Sequence, residues 1–595
     1  MKYQNLYTLF RERVSEYAEK NIFYTREDNH WQSISWNSFA YQVECFSSAL
    51  FSLGLTKNHS VCILMGTLPE WPVSDLGTIF AGGVSVGLYP TSSAEQCKYI
   101  INHSDAEYIV VDTKIQLDKI LQIKSHLPNI KKIIVLDESL VAQDNLLISY
   151  NSFLELGYKN LTSTKPSLVE MAQEAKPTDI AIMVYTSGTT GLPKGACLSH
   201  QYIINSVESL LETVPVYDTD RSFSYLPYCH VAERITGFYN RLYAGAPAYF
   251  VNDLTKLWQY MQEVKPTIFG SLPRFFEKIH SKVISDIEKS APQEQHLFNK
   301  VLKLGQEIDQ LKQKQAPVPP YLLEIYDNLS GEIQNKIKAY FGGEIRILSS
   351  GGAPLPQEIA EFFSALGLPI LQAYGLTENV CTAFNRANNH RFGTVGQAMP
   401  GCNLKLAEDG EILLQSEMMF SGYYKEPEKT KEMFSDNWLV TGDLGHLTED
   451  GFLKIIGRKK ELIITSTGKN VAPSLLENLL KEHPLISHAM AYGDGKSYLT
   501  ALITLNQIET EDYAKRNKIN YSTFADLTKT PQIVSLVQTL VDKVNNQVSS
   551  TEAIKRFVIL EHDLSIEAGE ITPTLKVKRN VVAENYKDAL ENLYS

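Results

Sequence analysis

Long apolar runs are missing from this sequence. The longest, Leu76 to Tyr89, is short and interrupted by four glycines, so it cannot form a membrane-spanning helix. The start, MKYQNLYTLFRERVSEYAEK, mixes charges with apolar residues at helical spacing and lacks the continuous apolar core of a signal peptide. Positive charge is scarce too. Lys and Arg number 56 against 68 Asp and Glu, a net charge of −12. That balance argues against nucleic acid as a partner, which needs a basic footprint. It also argues against a purely electrostatic hold on anionic lipid. The seven cysteines are dispersed, with neither C-x-x-C pairs nor histidine partners at metal spacing. They read as reduced core thiols of a cytoplasmic protein. No repeats or low-complexity tracts occur.

What is present points to a large α/β protein. A chain of 595 residues, 44% of them hydrophobic, is long enough for at least two domains with sizeable cores. Short β-rich runs (VSVGLYP, EYIVVDT, KKIIVLDE, IAIMVYT, PTIFGSLP, EIRILSSGGAP) alternate with amphipathic segments such as SSALFSLGL and AEQCKYIINH. Strands interleaved with helices imply a mainly parallel sheet covered on both faces. A polar, helix-rich excursion is expected at about 280–340. Short strands with tight turns, expected to form a small antiparallel barrel, follow at about 395–456.

The most chemically pointed stretch is YTSGTTGLPKGACLSH, Tyr185 to His200. Glycines let a ligand approach the backbone, amides and hydroxyls donate to phosphate oxygens, and Lys194 adds a point charge. The stretch is not the common P-loop, because Lys194 lies between Pro193 and Gly195. Nor does a helix follow at once. Ala196-Cys197-Leu198 reads as a short strand, with a helix beginning near His200. Four further segments carry chemistry. ILSSGGAPL (Ile347 to Leu355) ends a strand in Gly351-Gly352, where a flat ring can lie against bare backbone. LQAYGLTE offers a stacking face in Tyr374, a hydroxyl in Thr377 and, in Glu378, a carboxylate suited to magnesium. TGDLG places Asp443 in a turn where it can accept from ribose hydroxyls. GRKKELIITSTGKNVAP, from Gly457, is followed far downstream by GEITPTLKVKR, Gly569 to Arg579.

In this order and spacing, over nearly the whole chain, these segments resemble the adenylate-forming superfamily, within it the bacterial long-chain fatty acyl-CoA synthetases. The resemblance implies a large N-terminal domain over 1–458, built of parallel-sheet αβα subdomains plus the small barrel, and a small mobile α+β domain over 459–595. It implies that a fatty acid is joined to ATP, releasing pyrophosphate and forming acyl-AMP, and that CoA then displaces AMP. Thr186, Ser187, Gly188, Thr189, Thr190, Gly191 and Lys194 match the loop that holds the β- and γ-phosphates. Glu378 and Thr186 match the magnesium-positioning pair. Gly352, Ala353, Gln372, Tyr374 and Gly375 match the adenine frame, with Pro354, Ala373 and Thr377 in the same segments. Asp443 and Arg458 match the ribose-holding pair, and Lys576 the cation bridging the carboxylate, α-phosphate and ribose. His230 matches a histidine beside the acyl pocket, and Gly468 belongs to a segment that reaches the CoA side after the small domain rotates. Many members carry Asp at the hinge where this chain has Lys460, as its nearer relatives do. An enzyme loading an acyl carrier protein would share every nucleotide motif. A non-catalytic relative would have lost Lys194, Glu378, Asp443 or Lys576, and all four are present. A lipid-like substrate is compatible with peripheral contact at the inner membrane, and the pattern is compatible with a homodimer.

Overall fold

The computed structural model describes residues 2–141, 144–186, 192–466, 469–550, 552–572 and 576–594. Its centre is a seven-stranded sheet in the order Leu147–Ser149, Lys132–Val135, Ala106–Val111, Ser60–Leu64, Val84–Gly87, Ile180–Thr186, Lys194–Ser199. All neighbours are parallel except the last pair. Ser60–Leu64 and Ala106–Val111 are buried at every position, which is why these strands read as mainly apolar runs rather than as alternating ones. Successive side chains point to opposite faces. Val61 and Ile63 join one core with helices such as Trp36–Ser52 and His200–Thr213. Cys62 and Leu64 join another with helices Ala94–His103 and Lys114–Ile123. All seven cysteines are buried and unpaired.

A second sheet runs Ile268–Ser271, Ile347–Ser350, Ile370–Leu376, Asn379–Phe384, Gln397–Ala398. The first three strands are parallel and the last two antiparallel. Three helices, Pro273–Glu288, Pro292–Gln313 and Pro320–Ala339, occupy the polar stretch beside it, each opened by a proline, which loses nothing at a first turn. A four-stranded sheet runs Ser222–Ser224, Ala248–Phe250, Asn21–Glu27, His30–Ser35. The short strands from Cys402 onward form an antiparallel sheet, Cys402–Leu406, Glu411–Ser416, Trp438–Leu447, Phe434–Ser435, with Leu453–Arg458 added on Trp438–Leu447.

From residue 463 onward the chain builds cores of its own. One joins Ile463, Leu476, Leu499, Val537 and Ile554, and a smaller one joins Met490, Leu502, Val582 and Leu590. Their sheet is Ile486–Tyr492, Leu499–Leu505, Ile554–Ile559.

Candidate active site

The loop that motivated the sequence argument hangs between the antiparallel strands Ile180–Thr186 and Lys194–Ser199, with Thr186 directly opposite Lys194. Two strands rather than a strand and a helix therefore carry it. The helix begins afterwards at His200, capped by the Ser199 side chain accepting from the Tyr202 amide. Ser187, Gly188, Thr189, Thr190 and Gly191 lie outside the described residues, as does Gly468. Lys194 Nζ sits 4.8 Å from the ring centroid of Tyr423, whose hydroxyl donates to Glu378 Oε1. Glu378 is 9% exposed, and the fully buried Tyr202 braces the backbone on either side of it. The Tyr202 hydroxyl donates to the Thr377 carbonyl at 2.9 Å and accepts from the Val380 amide at 3.2 Å. Among the described residues no group of three or more His, Cys, Asp or Glu could hold a metal ion.

Two of the segments, ILSSGGAPL and LQAYGLTE, lie on neighbouring strands of the second sheet. Ser350 pairs with Gln372 across parallel strands, so Gly351, Gly352, Ala353 and Pro354 leave one strand beside Gln372 and Ala373 on the next. Gly352 has φ of 77°, a conformation that favours glycine. At Gly375 the strand shifts register, and a Cβ there would lie 1.9 Å from the Val380 carbonyl oxygen. Only a bare α-carbon fits that bulge.

Tyr374 reaches the next element. Its hydroxyl donates to Asp443 Oδ2, and Arg458 Nε meets Asp443 Oδ1 at 2.8 Å. Asp443 and Arg458 are register partners on neighbouring strands. The Asp443 amide donates to Thr441 Oγ1 at 3.1 Å, tightening the turn. Burial pushes the Asp443 carboxyl above the usual carboxylate range, against the pull of Arg458, the Tyr374 hydroxyl and Lys576.

Lys576 comes from the far end of the chain. Ile571 and Val577 bridge, and the Lys576 amide donates to Thr572 Oγ1 at 3.0 Å. The lysine is solvent-accessible at the cleft, yet enough protein surrounds it for desolvation to lower its pKa. Arg458 lowers it further, while Asp443, Glu461 and Glu378 draw it back. The same lysine acts on His230, whose imidazole is held at about 4, chiefly by burial. His230 Nδ1 accepts from the Ala232 amide at 3.1 Å, so in the neutral ring the proton sits on Nε2. His230 opens a π-helical turn, Ala232–Tyr239, fastened by the fully buried Arg234–Asp75 ion pair.

Lys460 is exposed at the centre of the one-turn helix Lys459–Glu461. Its neighbours are anchored to different sides. Lys459 Nζ lies 2.7 Å from Glu411 Oε2 on the antiparallel sheet, whereas Glu461 meets Arg579 Nε at 3.6 Å in the C-terminal region.

Sequence reasoning missed Tyr423, Tyr202 and the Arg234–Asp75 pair. SGYYKEPEKT reads as a polar turn, and only the fold shows one of its tyrosines facing inward.

The fold is one that solved adenylating enzymes share. It matches the adenylation domain of the carboxylate reductase from Mycobacterium chelonae with a TM-score of 0.73, over 100% of this chain and 92% of that one, at 21% identity. More particularly, residues 10–424 match the AMP-binding enzyme family and residues 460–595 the C-terminal domain of AMP-binding enzymes, and the chain belongs to that family. It is 32% identical over 605 residues to the long-chain-fatty-acid–CoA ligase FadD15 of Mycobacterium bovis, covering 100% of this chain and 98% of the relative. It is 33% identical over 615 residues to the long-chain-fatty-acid–CoA ligase ACSBG2 of Homo sapiens, covering 98% and 91%.

Proposed function

We propose that this protein activates long-chain fatty acids with ATP to acyl-AMP and pyrophosphate, then transfers the acyl group to CoA, releasing AMP. A carboxylate resists nucleophilic attack because attack adds charge to an anion. Joining its oxygen to the α-phosphate creates a mixed anhydride with a good leaving group. The displacement at phosphorus needs positioning and charge stabilisation more than covalent help.

The observation that carries the reading is the meeting of Tyr374, Asp443 and Arg458 beside the Gly351 to Pro354 turn, in a chain that matches the AMP-binding enzyme family over both its parts. In this reading Asp443 and Arg458 hold the ribose, and adenine lies against Gly352, Ala353 and Tyr374. Lys194, with the loop hydroxyls, steadies the departing pyrophosphate. Lys576 neutralises charge building between the carboxylate and the α-phosphate. His230, neutral at physiological pH, offers an Nε2–H donor rather than a charge.

Glu378 and Thr186 would hold magnesium. A single buried carboxylate and a hydroxyl fit an ion that keeps several waters and takes most of its oxygens from phosphates. When bound, it neutralises phosphate charge. CoA is the thiol acceptor, and Gly468 lies on the segment expected to meet it. Lys460 is the pivot between a domain over 1–458 and a mobile one over 459–595. Among the described residues no helix is long and apolar enough to cross a membrane. Cytoplasmic residence with transient contact at the inner membrane face suits a lipid-like substrate, and the protein acts as a monomer or a homodimer.

The test is AMP release by the purified protein across carboxylic acids from acetate to oleate, with and without CoA. Acids of roughly twelve or more carbons should be preferred, since each buried methylene adds about 0.8 kcal/mol of binding. A clear preference for acetate, benzoate or an amino acid would overturn the proposal.

A further inference from the structure

A segment outside every nucleotide motif touches two of the chemistry-bearing side chains at once. Residues Ser421 to Tyr424 run antiparallel beside the strand Lys194–Ser199. The Ser421 amide donates to the Cys197 carbonyl at 2.9 Å, Cys197 to Gly422 at 2.9 Å, and Tyr424 to Gly195 at 2.8 Å. Ala196 and Tyr423 are bridge partners. This added edge turns the Tyr423 side chain inward, 7% exposed. Its ring face lies 4.8 Å from Lys194 Nζ and its hydroxyl donates to Glu378 Oε1. The Phe420 amide donates to the Glu378 carbonyl at 2.8 Å, so the same segment also fixes that residue's backbone. Burial and the adjacent carboxylate push the phenol far above its usual pKa, which keeps the hydroxyl a donor.

We propose that Tyr423 is a positioning residue for adenylation. It holds the Glu378 carboxylate through Oε1 and seats the Lys194 ammonium on its ring. Tyr423 touches no reacting atom. Its effect is to remove rotamer freedom from one anionic and one cationic side chain before ATP arrives, so that less ordering remains when the ligand binds. The proposal rests on the reading that Glu378 serves magnesium and Lys194 serves pyrophosphate.

Calorimetric titration of the full-length protein with ATP, once with magnesium and once with EDTA, separates these roles. Tyr423→Phe keeps the ring and removes the hydroxyl. It should weaken ATP binding about ten-fold with magnesium, as expected for losing a hydrogen bond to a charged group, and leave binding in EDTA unchanged. Tyr423→Leu removes the ring as well and should cost a further factor of about two to five in both conditions. Glu378→Gln should abolish most of the gain from magnesium. If Glu378→Gln does so but Tyr423→Phe binds like the wild type, the positioning role is wrong and the magnesium reading stands. If Glu378→Gln keeps the full gain, the magnesium reading has failed and this proposal with it. Equal weakening by Tyr423→Phe in both conditions, with a lower melting temperature, would mean a structural tyrosine only and would overturn the proposal.

Discussion

Asp443 and Arg458 sit opposite each other on antiparallel neighbours, joined by an ion pair of 2.8 Å in which the carboxylate is buried and the guanidinium half-exposed. The strand register sets that meeting before any nucleotide is present. Arg458 also donates to the Thr441 carbonyl, at 3.4 Å. Arg458→Ala therefore leaves the Asp443 carboxylate buried with the Tyr374 hydroxyl as its remaining close partner. The KM for ATP should rise about ten-fold, as for loss of a charge-assisted hydrogen bond, and the melting temperature should fall as well, because the buried carboxylate loses its cation. An unchanged KM would place the ribose elsewhere.

Lys576 should matter to one half-reaction only. Lys576→Ala is expected to lower acyl-AMP synthesis by about 10²–10³, typical of one positioned donor at developing charge, while ATP binding is largely kept. Supplied with synthetic acyl-AMP and CoA, the variant should still make thioester at a substantial fraction of the normal rate. Equal loss in both assays would shift attention to Lys578 or to a mechanism without domain rotation.

Lys460 lies between two anchors, Lys459 on Glu411 and Glu461 on Arg579. If the backbone pivots there, its dihedrals must change between half-reactions. Lys460→Pro locks φ and should reduce thioester formation more than acyl-AMP formation. Parallel loss of both would mean misfolding or a different pivot.

His200 supplies a stability prediction with a definite sign. Its Nδ1 accepts from the Leu6 amide at 3.2 Å, and burial holds its pKa at about 4, below the usual 6.5. Between those values the unfolded chain takes up a proton that the folded chain refuses. The contribution is therefore full above about pH 6.5, is lost progressively as pH falls towards 4, and changes no further below that. His200→Asn keeps an acceptor near Nδ1 without the titration. Its stability should fall less between pH 7 and pH 4.5 than that of the wild type, by about 2–3 kcal/mol. Melting curves across that range decide the matter, and parallel slopes would exclude His200.

The strand-turn-strand course around Tyr185 to His200 was legible because its signals are local. A Lys flanked by Pro and Gly rules out the helix-opening loop, and the apolar run Ala196-Cys197-Leu198 is the strand Lys194–Ser199. The buried strands were legible for the same kind of reason, since a strand covered on both faces is mainly apolar rather than alternating. Membership of the family became readable through the combined order of the motifs along the chain, because each alone is an ordinary turn or a charged surface residue. Tyr423 carried no such mark. It meets Glu378 across 45 residues of sequence, by lying on an extra edge beside Lys194–Ser199. Tyr202 reaches the Thr377 carbonyl across 175 residues. Local sequence determines which residues form a strand or cap a helix, because those interactions are made between neighbours in the chain. Which side of SGYYKEPEKT faces inward, and which charge Lys576 meets, follow from how distant strands pair and cores close, and only the tertiary structure decides them.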